Sequence, residues 1–300
     1  MIAQINADQW VCPNDPVGAE AADLRGLPLV GRWLQPRHFT NKVQMTIAKA
    51  DYIEGLAKGL AVLEAFDTER QRLNATLAAQ RTGITRAAAR RHLLTLAELG
   101  YLETDGSHYW LSARVLRFAG SYMATSRLPR TLQPTLNRLA QQTQAAFSAV
   151  VRDGDECVIV ARSAGVAEPV RHLAYGLHLG ARLPAHATST GRVLLASLPK
   201  ADFAAWLKGR ELARITPQTE VNATQFKALI AQVRLSDHCL ARDGHELGIH
   251  ALAVPLRNMQ GQTLAALNVV GTAEQLSDAA VQRQWLPLLL QAARELRPLL

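Results

Sequence analysis

The chain has 300 residues, of which 48% are apolar, and it carries a formal net charge of +8 with a pI near 9.8. That length is sufficient for two domains with hydrophobic cores, and the wide spacing of Cys12, Cys157 and Cys239 argues against a disulfide framework or a cysteine zinc site. The basic excess favours a polyanionic partner, although local clustering of charge is the better guide to one.

The amino-terminal residues 1–50 are expected to form a poorly ordered extension. They contain Asp8, Asp15 and Glu20 but no basic stretch followed by an apolar one, so they do not resemble a secretory signal. The chain has no apolar run of eighteen residues, so no membrane partner is expected. Together with the unpaired cysteines, these features indicate a cytoplasmic protein.

Three short helices are predicted after Ile53. The first repeats large apolar residues at spacings of three and four, which predicts one buried face. These residues are Leu56, Leu60, Leu63 and Phe66. Asn74 is placed to cap the second helix, over 75–82, and Gly83 to end it with a positive φ. Thr85 is placed to cap the third helix, whose inward face is Ala89, Leu93 and Leu96.

The stretch from Arg70 to Arg91 contains six arginines and no acidic residue. Two short helices joined at Thr82 and Gly83 have the organisation of a helix-turn-helix, whose second helix enters the DNA major groove. Guanidinium groups read guanine and bind phosphates, whereas the alternative interpretation is a solvated helix face. The residues expected to contact double-stranded DNA are Thr85, Arg86, Ala87, Arg90 and Arg91.

Two β segments are predicted next, at 101–103 and 108–111, around Asp105 and Gly106. This residue pair is favoured in a type I′ hairpin turn. Three helices followed by a hairpin make a winged helix-turn-helix domain, expected over residues 51–112.

A linker helix is expected over residues 113–128. Its apolar residues recur on one side, which is compatible with a dimer seam or with packing onto its own domain, and the pattern alone does not separate these two. They are Val115, Leu116, Phe118, Ala119, Tyr122 and Met123. Pro129 is taken as the start of the next unit.

Residues 129–300 alternate strands and helices, with hairpin turns at Gly154 and Gly261 and a long helix after Ser277. The expected class is α+β, with an antiparallel sheet flanked by helices, similar to the GAF or profilin-like sensor folds. Such a sheet can hold a small-molecule cavity. No Rossmann glycine fingerprint or Walker loop is present, and no cofactor is expected.

The run HATSTG, from His186 to Gly191, precedes an apolar helix and offers hydroxyl and backbone N–H groups at its amino terminus. Such a terminus can bind a carboxylate. The alternative is simple capping of the helix by Thr188 or Ser189. Asn268, in the apolar strand AALNVVG, should have a partner, which is either the effector or an ordinary backbone group.

Six histidines lie in this second domain and raise the possibility of a metal site or a hydrolase: His172, His178, His186, His238, His245 and His250. There is no HExxH pair, CxxC pair or GxSxG elbow, so neither a metal nor an enzyme is expected.

Several segments resemble the IclR-type bacterial regulators. They are YIEGLAKGLAVLEAFD and RTGITRAAARRHLLTLAELGYLETDG in the first domain, and LPAHATSTGRVLLA and HALAVPLRNMQGQTLAALNVVG in the second. The sequence of these segments is similar to that of the family branch that regulates protocatechuate, 4-hydroxybenzoate and β-ketoadipate operons. The sequence departs from the family at ARDGHELG, where Arg242 stands in place of a common acid.

The resemblance implies a dimer or tetramer that binds a palindromic operator and senses a small, aromatic or dicarboxylic acid. Carried over by position, it implies an effector site formed by Leu183, Ser189, Thr190, Ile249, Ala251, Asn268 and Val270. His186 and, more weakly, Tyr175 are added as further candidates. The hypothesis is a ligand-responsive transcriptional regulator, and the main alternative is an architectural DNA-binding protein without an effector, which would have little use for the second domain.

Overall fold

A computed structural model of the protein describes residues 47–67, 70–163 and 178–300. The predicted extension lies outside the described residues except for 47–50, and Tyr175 and the strand expected near Val170 also lie outside them. The first domain contains α1 (Glu54–Glu64), α2 (Ala75–Thr82) and α3 (Arg86–Glu98), followed by the hairpin of β1 (Leu102–Thr104) and β2 (Tyr109–Leu111).

The predicted helix ends in the helix-turn-helix are confirmed. The Asn74 side chain accepts hydrogen bonds from the backbone N–H groups of Thr76 and Leu77. Gly83 ends α2 with a φ of 68°, and the Thr85 hydroxyl accepts the backbone N–H of Ala88. These groups satisfy amides that the helix itself cannot bond, so local sequence alone defines where α2 and α3 begin.

The prediction for α1 is partly wrong. Leu56 and Leu60 are 60% and 52% exposed, whereas Val62 and Phe66 are buried in the small core. Only the carboxyl-terminal half of α1 packs against the rest of the domain, so the described residues provide no layer to cover its first two turns.

The predicted type I′ turn of the wing is also wrong. Such a turn needs positive φ at both central residues, but only Gly106, with φ 94°, meets that requirement. The connection is a four-residue loop, in which the Asp105 carboxylate accepts the backbone N–H groups of Ser107 and His108. These bonds stabilise the loop without a second residue at positive φ.

Two helices connect the domains. A 3₁₀ turn (Ala113–Val115) leads into α4 (Leu116–Thr125), which corresponds to the expected linker helix. The next helix, α5 (Arg127–Thr143), begins two residues before Pro129, which is tolerated in the first turn because no helical N–H bond is needed there.

The second domain is built on a six-stranded antiparallel sheet in the order β5-β4-β3-β8-β7-β6. Its strands are β3 (Ala146–Asp153), β4 (Glu156–Arg162), β5 (Arg182–Pro184), β6 (Cys239–Arg242), β7 (Ile249–Arg257) and β8 (Thr263–Thr272). Its further helices are α6 (Ser189–Ala196), α7 (Lys200–Leu207), α8 (Ala223–Ser236), α9 (Asp278–Ala280), a π-helical turn (Val281–Trp285) and α10 (Leu286–Leu296), before a final 3₁₀ turn (Arg297–Leu299). The α+β class and the antiparallel sheet are confirmed.

Helices cover both faces of the sheet. On one face, α5 and α10 pack against Phe147, Leu252 and Leu267. On the other face, α6, α7 and α8 pack against Val150 and Ala266. Because side chains alternate along a strand, this arrangement decides which residues of β7 and β8 point toward α6.

Candidate DNA-binding and effector sites

The outer face of α3 is an exposed basic surface. All five residues expected to contact DNA are exposed, while Ala89 and Leu93 on the opposite side of α3 are fully buried. The described residues provide no carboxylate that pairs with Arg86, Arg90 or Arg91. This surface therefore presents three guanidinium groups on a helix whose orientation is held by its core side.

Two other arginines of this region, Arg72 and Arg81, have carboxylate partners. Arg81 pairs with Asp67, and Arg72 lies 3.6 Å from the Asp105 carboxylate and over the ring of Trp110. The acids come from outside the acid-free stretch, so the sequence pattern alone did not reveal these pairs. The positive charge available to DNA is accordingly concentrated on α3.

At the amino terminus of α6, helix capping and availability for ligand binding fall to different residues, a choice that the sequence left open. The Thr188 hydroxyl is the cap, because it accepts the backbone N–H of Gly191 at 3.1 Å. The Ser189 hydroxyl is buried and has no partner among the described residues. The backbone N–H groups of Ser189 and Thr190 also have no acceptor within the described segments. This helix end thus offers polar groups that capping does not use.

The sheet beneath α6 contributes a second set of candidate residues. Ala251 pairs with Val270 and Ala253 with Asn268, and the alternation of side chains places these residues on the α6 side of the sheet. Ile249 shares this face and, like Ala251, is only half-buried. The Asn268 carbonyl oxygen Oδ1 is buried and has no partner in the described part of the chain. An unpaired amide in such a strand needs a ligand or water to satisfy it.

Two further candidates come from the segment that leads into α6. Leu183 is on β5, an edge strand of the sheet, and packs against the α6–α8 core. His186 is buried next to α6, and its Nε2 lies 2.8 Å from the carbonyl oxygen of Ala213. Burial is the main reason that its pKa is lowered.

Two features of α6 were missed from the sequence. Arg192 is only 6% exposed, and its Nε donates to the carbonyl oxygen of His186 at 2.9 Å. A Cβ on Gly191 would lie 2.1 Å from the carbonyl oxygen of Ala185, so only glycine fits where the preceding loop crosses the helix. The available signal was a glycine followed by a single arginine directly before the apolar run VLLASL.

Among the described residues, no helix is long and apolar enough to cross a membrane. The same segments contain no group of three or more histidine, cysteine or acidic side chains arranged to hold a metal ion.

The first domain is a winged helix with an exposed basic recognition helix, and the second has buried polar groups without partners in the described part of the chain. This combination defines the class of ligand-responsive transcriptional regulators. The family descriptions "IclR helix-turn-helix domain" and "Bacterial transcriptional regulator IclR C-terminal" match residues 55–106 and 120–297. The chain therefore belongs to the IclR family, as its sequence resemblance indicated. It is a DNA-binding regulator with an effector domain and not an enzyme.

Named relatives place it near regulators of aromatic catabolism. It is 46% identical to the Pca operon regulatory protein of Acinetobacter baylyi, over 87% of this chain and 93% of that protein. It is 50% identical to the p-hydroxybenzoate hydroxylase transcriptional activator of the same organism, over 84% of this chain and 94% of that protein. A solved inducer-binding domain of the Acinetobacter PobR transcription factor, a double mutant in complex with 3-hydroxybenzoic acid, is 44% identical with a TM-score of 0.53, over 57% of this chain and 98% of that domain.

Proposed function

We propose that this regulator controls a catabolic operon for an aromatic acid and senses a small aromatic or dicarboxylic acid in its second domain. The observation that carries the proposal is a pair of buried polar groups, Ser189 Oγ and Asn268 Oδ1, which lie on two elements that pack together and have no partner among the described residues. A hydroxyl and an amide are suited to an acid that also carries a hydroxyl group. The names of the relatives, which include regulators of p-hydroxybenzoate and Pca genes, support the aromatic class.

The organisation that serves this function is a winged helix over 51–112, a linker over 113–128 and an effector domain over 129–300. The effector site in this proposal comprises Leu183, His186, Ser189, Thr190, Ile249, Ala251, Asn268 and Val270, with Tyr175, outside the described residues, as a weaker candidate. As a regulator of bacterial operon DNA, it acts in the cytoplasm in this proposal.

Self-association is the second part of the proposal. No residue of α4 is buried, and α1 and α4 together expose a set of large apolar side chains. They are Ile53, Leu56, Leu60, Leu116, Phe118 and Tyr122. Phe118 also stacks on Tyr101, so part of the linker face packs on its own domain. A two-fold dimer through the remaining surface would present two copies of α3 to a palindromic operator.

A thermal-shift titration with 4-hydroxybenzoate, protocatechuate and β-ketoadipate tests the effector assignment. An acid at one hundred times its dissociation constant adds about 2.7 kcal/mol of stability, which raises the Tm of a domain of this size by about 5 to 10 °C. Phenol is the control because it lacks the carboxylate. An unchanged Tm with all three acids would contradict the sensor assignment.

Sedimentation of Leu116→Asp tests the oligomer. A charge in the apolar face of α4 is expected to shift the protein toward monomer, whereas Leu235→Asp is the control because Leu235 is 83% exposed on α8. Equal sedimentation of both variants and the wild type would show that α4 is not in the interface.

A further inference from the structure

A cluster of basic groups surrounds the loop that leads into α6. Arg192 is buried and donates through Nε to the carbonyl oxygen of His186, and the ring of His186 contacts the carbonyl oxygen of Ala213. The other end of the guanidinium reaches Gly244, where an added Cβ would lie 3.5 Å from Nη2. The β6–β7 loop and the start of α6 therefore meet at a buried positive charge.

The cluster combines two guanidinium groups with two histidines, and its acids lie beside Arg210 and His245 and not beside Arg192. The charges of Arg192, Arg210 and His245 all act on the His186 ring and reinforce the lowering of its pKa by burial. Arg210 is paired with Asp155, and Glu246 acts on His245, where burial again lowers the pKa. No carboxylate of the described residues pairs with Arg192. A buried guanidinium without an anion is costly, so this arrangement favours the entry of an external anion.

Neighbouring groups are suited to complete an anion site. The Ser189 hydroxyl and the backbone N–H groups of Ser189 and Thr190 are unused at the amino terminus of α6. The helix dipole adds positive potential at the same end. Because Nε2 of His186 contacts a carbonyl oxygen, the neutral ring carries its proton there, which leaves Nδ1 able to accept another.

We propose that the carboxylate of the effector binds in this cluster with Arg192 as its counter-ion, and that His186 takes up one proton from solvent as the anion enters. This inference rests on the proposed sensor function and narrows its ligand class to the ionised acid, to the exclusion of neutral analogues. Proton uptake follows from linkage, because a nearby anion raises the pKa of a histidine that is neutral in the free protein. Binding consequently strengthens as the pH falls from 8 to 6.

Calorimetry on the full chain with 4-hydroxybenzoate and its neutral amide, 4-hydroxybenzamide, tests the role of Arg192. The wild type is expected to prefer the acid by roughly a hundredfold, and Arg192→Met to reduce that preference below about tenfold. Arg234→Met is the matched control, since Arg234 donates to the carbonyl oxygens of Ala196 and Leu198 at the opposite end of α6. The control should keep the preference of the wild type.

The outcomes separate the two proposals. If the wild type binds neither of these ligands and its Tm is also unchanged by protocatechuate and β-ketoadipate, the sensor function and this inference both fail. If the acid binds and Arg192→Met retains the full preference, only this inference is overturned. Should Arg192→Met not fold, competition by sulfate against 4-hydroxybenzoate in the wild type replaces it: weakened binding of the acid with unchanged binding of the amide supports the cluster, and equal effects on both overturn it.

The same titrations in MOPS and Tris buffers at pH 7, whose ionisation enthalpies differ, test whether a proton is taken up on binding. Binding of the acid is expected to take up between zero and one proton, and binding of the amide to take up none. His186→Gln should abolish the uptake while retaining a preference for the acid through Arg192. Equal uptake by wild type and His186→Gln would exclude His186 as the proton acceptor.

Discussion

The helices α3 and α6 begin with the same kind of cap, but α3 exposes one face to solvent whereas α6 is buried. Each is capped by a threonine that accepts the N–H of the third helical residue, Ala88 at 3.2 Å and Gly191 at 3.1 Å. Beyond the cap, α3 exposes its arginines, whereas every residue of α6 from Ser189 to Leu195 is buried. The same local start therefore gives a surface for a polymeric anion in one domain and an enclosed polar site in the other.

The difference shows how burial changes the energetic cost of a polar group and its selectivity for a ligand. The charges of Arg86, Arg90 and Arg91 are solvated and cost little when DNA is absent, and they bind phosphates by releasing counterions. Ser189 and Arg192 are held out of water, where an unsatisfied group is costly. An exposed cation is thus compatible with many ligands, while a buried one selects the ligand that satisfies it.

The largest effect is expected from a substitution in the buried helix α6, at Gly191. In Gly191→Ala, the new Cβ meets the carbonyl oxygen of Ala185, so we expect a loss of about 3 kcal/mol or more in unfolding free energy of the second domain. Urea denaturation measures it. Gly55→Ala in α1 is the control, because a Cβ there meets nothing within 4 Å. Equal unfolding free energies for Gly191→Ala and the wild type would mean that the loop at Ala185 does not cross α6 as closely as described.

Substitution of Arg90 tests the role of the exposed helix α3 in DNA binding. Arg90→Ala should weaken operator binding by about 1.5 kcal/mol at low salt, roughly tenfold, and reduce the salt slope by about one, with effector binding unchanged. Fluorescence anisotropy at several salt concentrations gives both quantities. Arg294→Ala removes an arginine of α10 that is also exposed and serves as control. Unchanged affinity at every salt concentration would remove Arg90 from the DNA-binding surface.

The smallest effects should separate capping from ligand binding within α6. Thr188→Ala is expected to cost about 1 kcal/mol of stability because it removes the cap, with little change in effector affinity. Ser189→Ala removes a hydroxyl that has no partner in the described structure, so stability should stay within about 0.5 kcal/mol while effector affinity falls about tenfold. Thermal denaturation and calorimetry on the two variants provide the comparison. The reverse pattern would assign the ligand to Thr188.

Much of the first domain could be predicted because its signals are local. Asn74, Gly83 and Thr85 act on backbone groups within four residues, so their roles follow from sequence spacing alone. The exposure of Leu56 and Leu60 could not be predicted in the same way, since a helical stripe shows that a face is apolar but not which neighbour covers it. The prediction of a type I′ turn in the wing was wrong for a local reason. The Asp105 side chain accepts the backbone N–H groups of Ser107 and His108, which stabilises a different loop.

The amino-acid sequence by itself determined the winged helix, the basic face of α3, the antiparallel α+β class and the family, because each depends on short-range patterns or on motifs read in order. Tertiary structure decided which hydroxyl of HATSTG caps α6, which arginines have acidic partners and where Arg192 lies. Those choices depend on strands and loops far apart in the chain, such as β8 and the β6–β7 loop, that meet only when the sheet forms. A buried charge acquires its role from these neighbours, and spacing along the chain does not encode them.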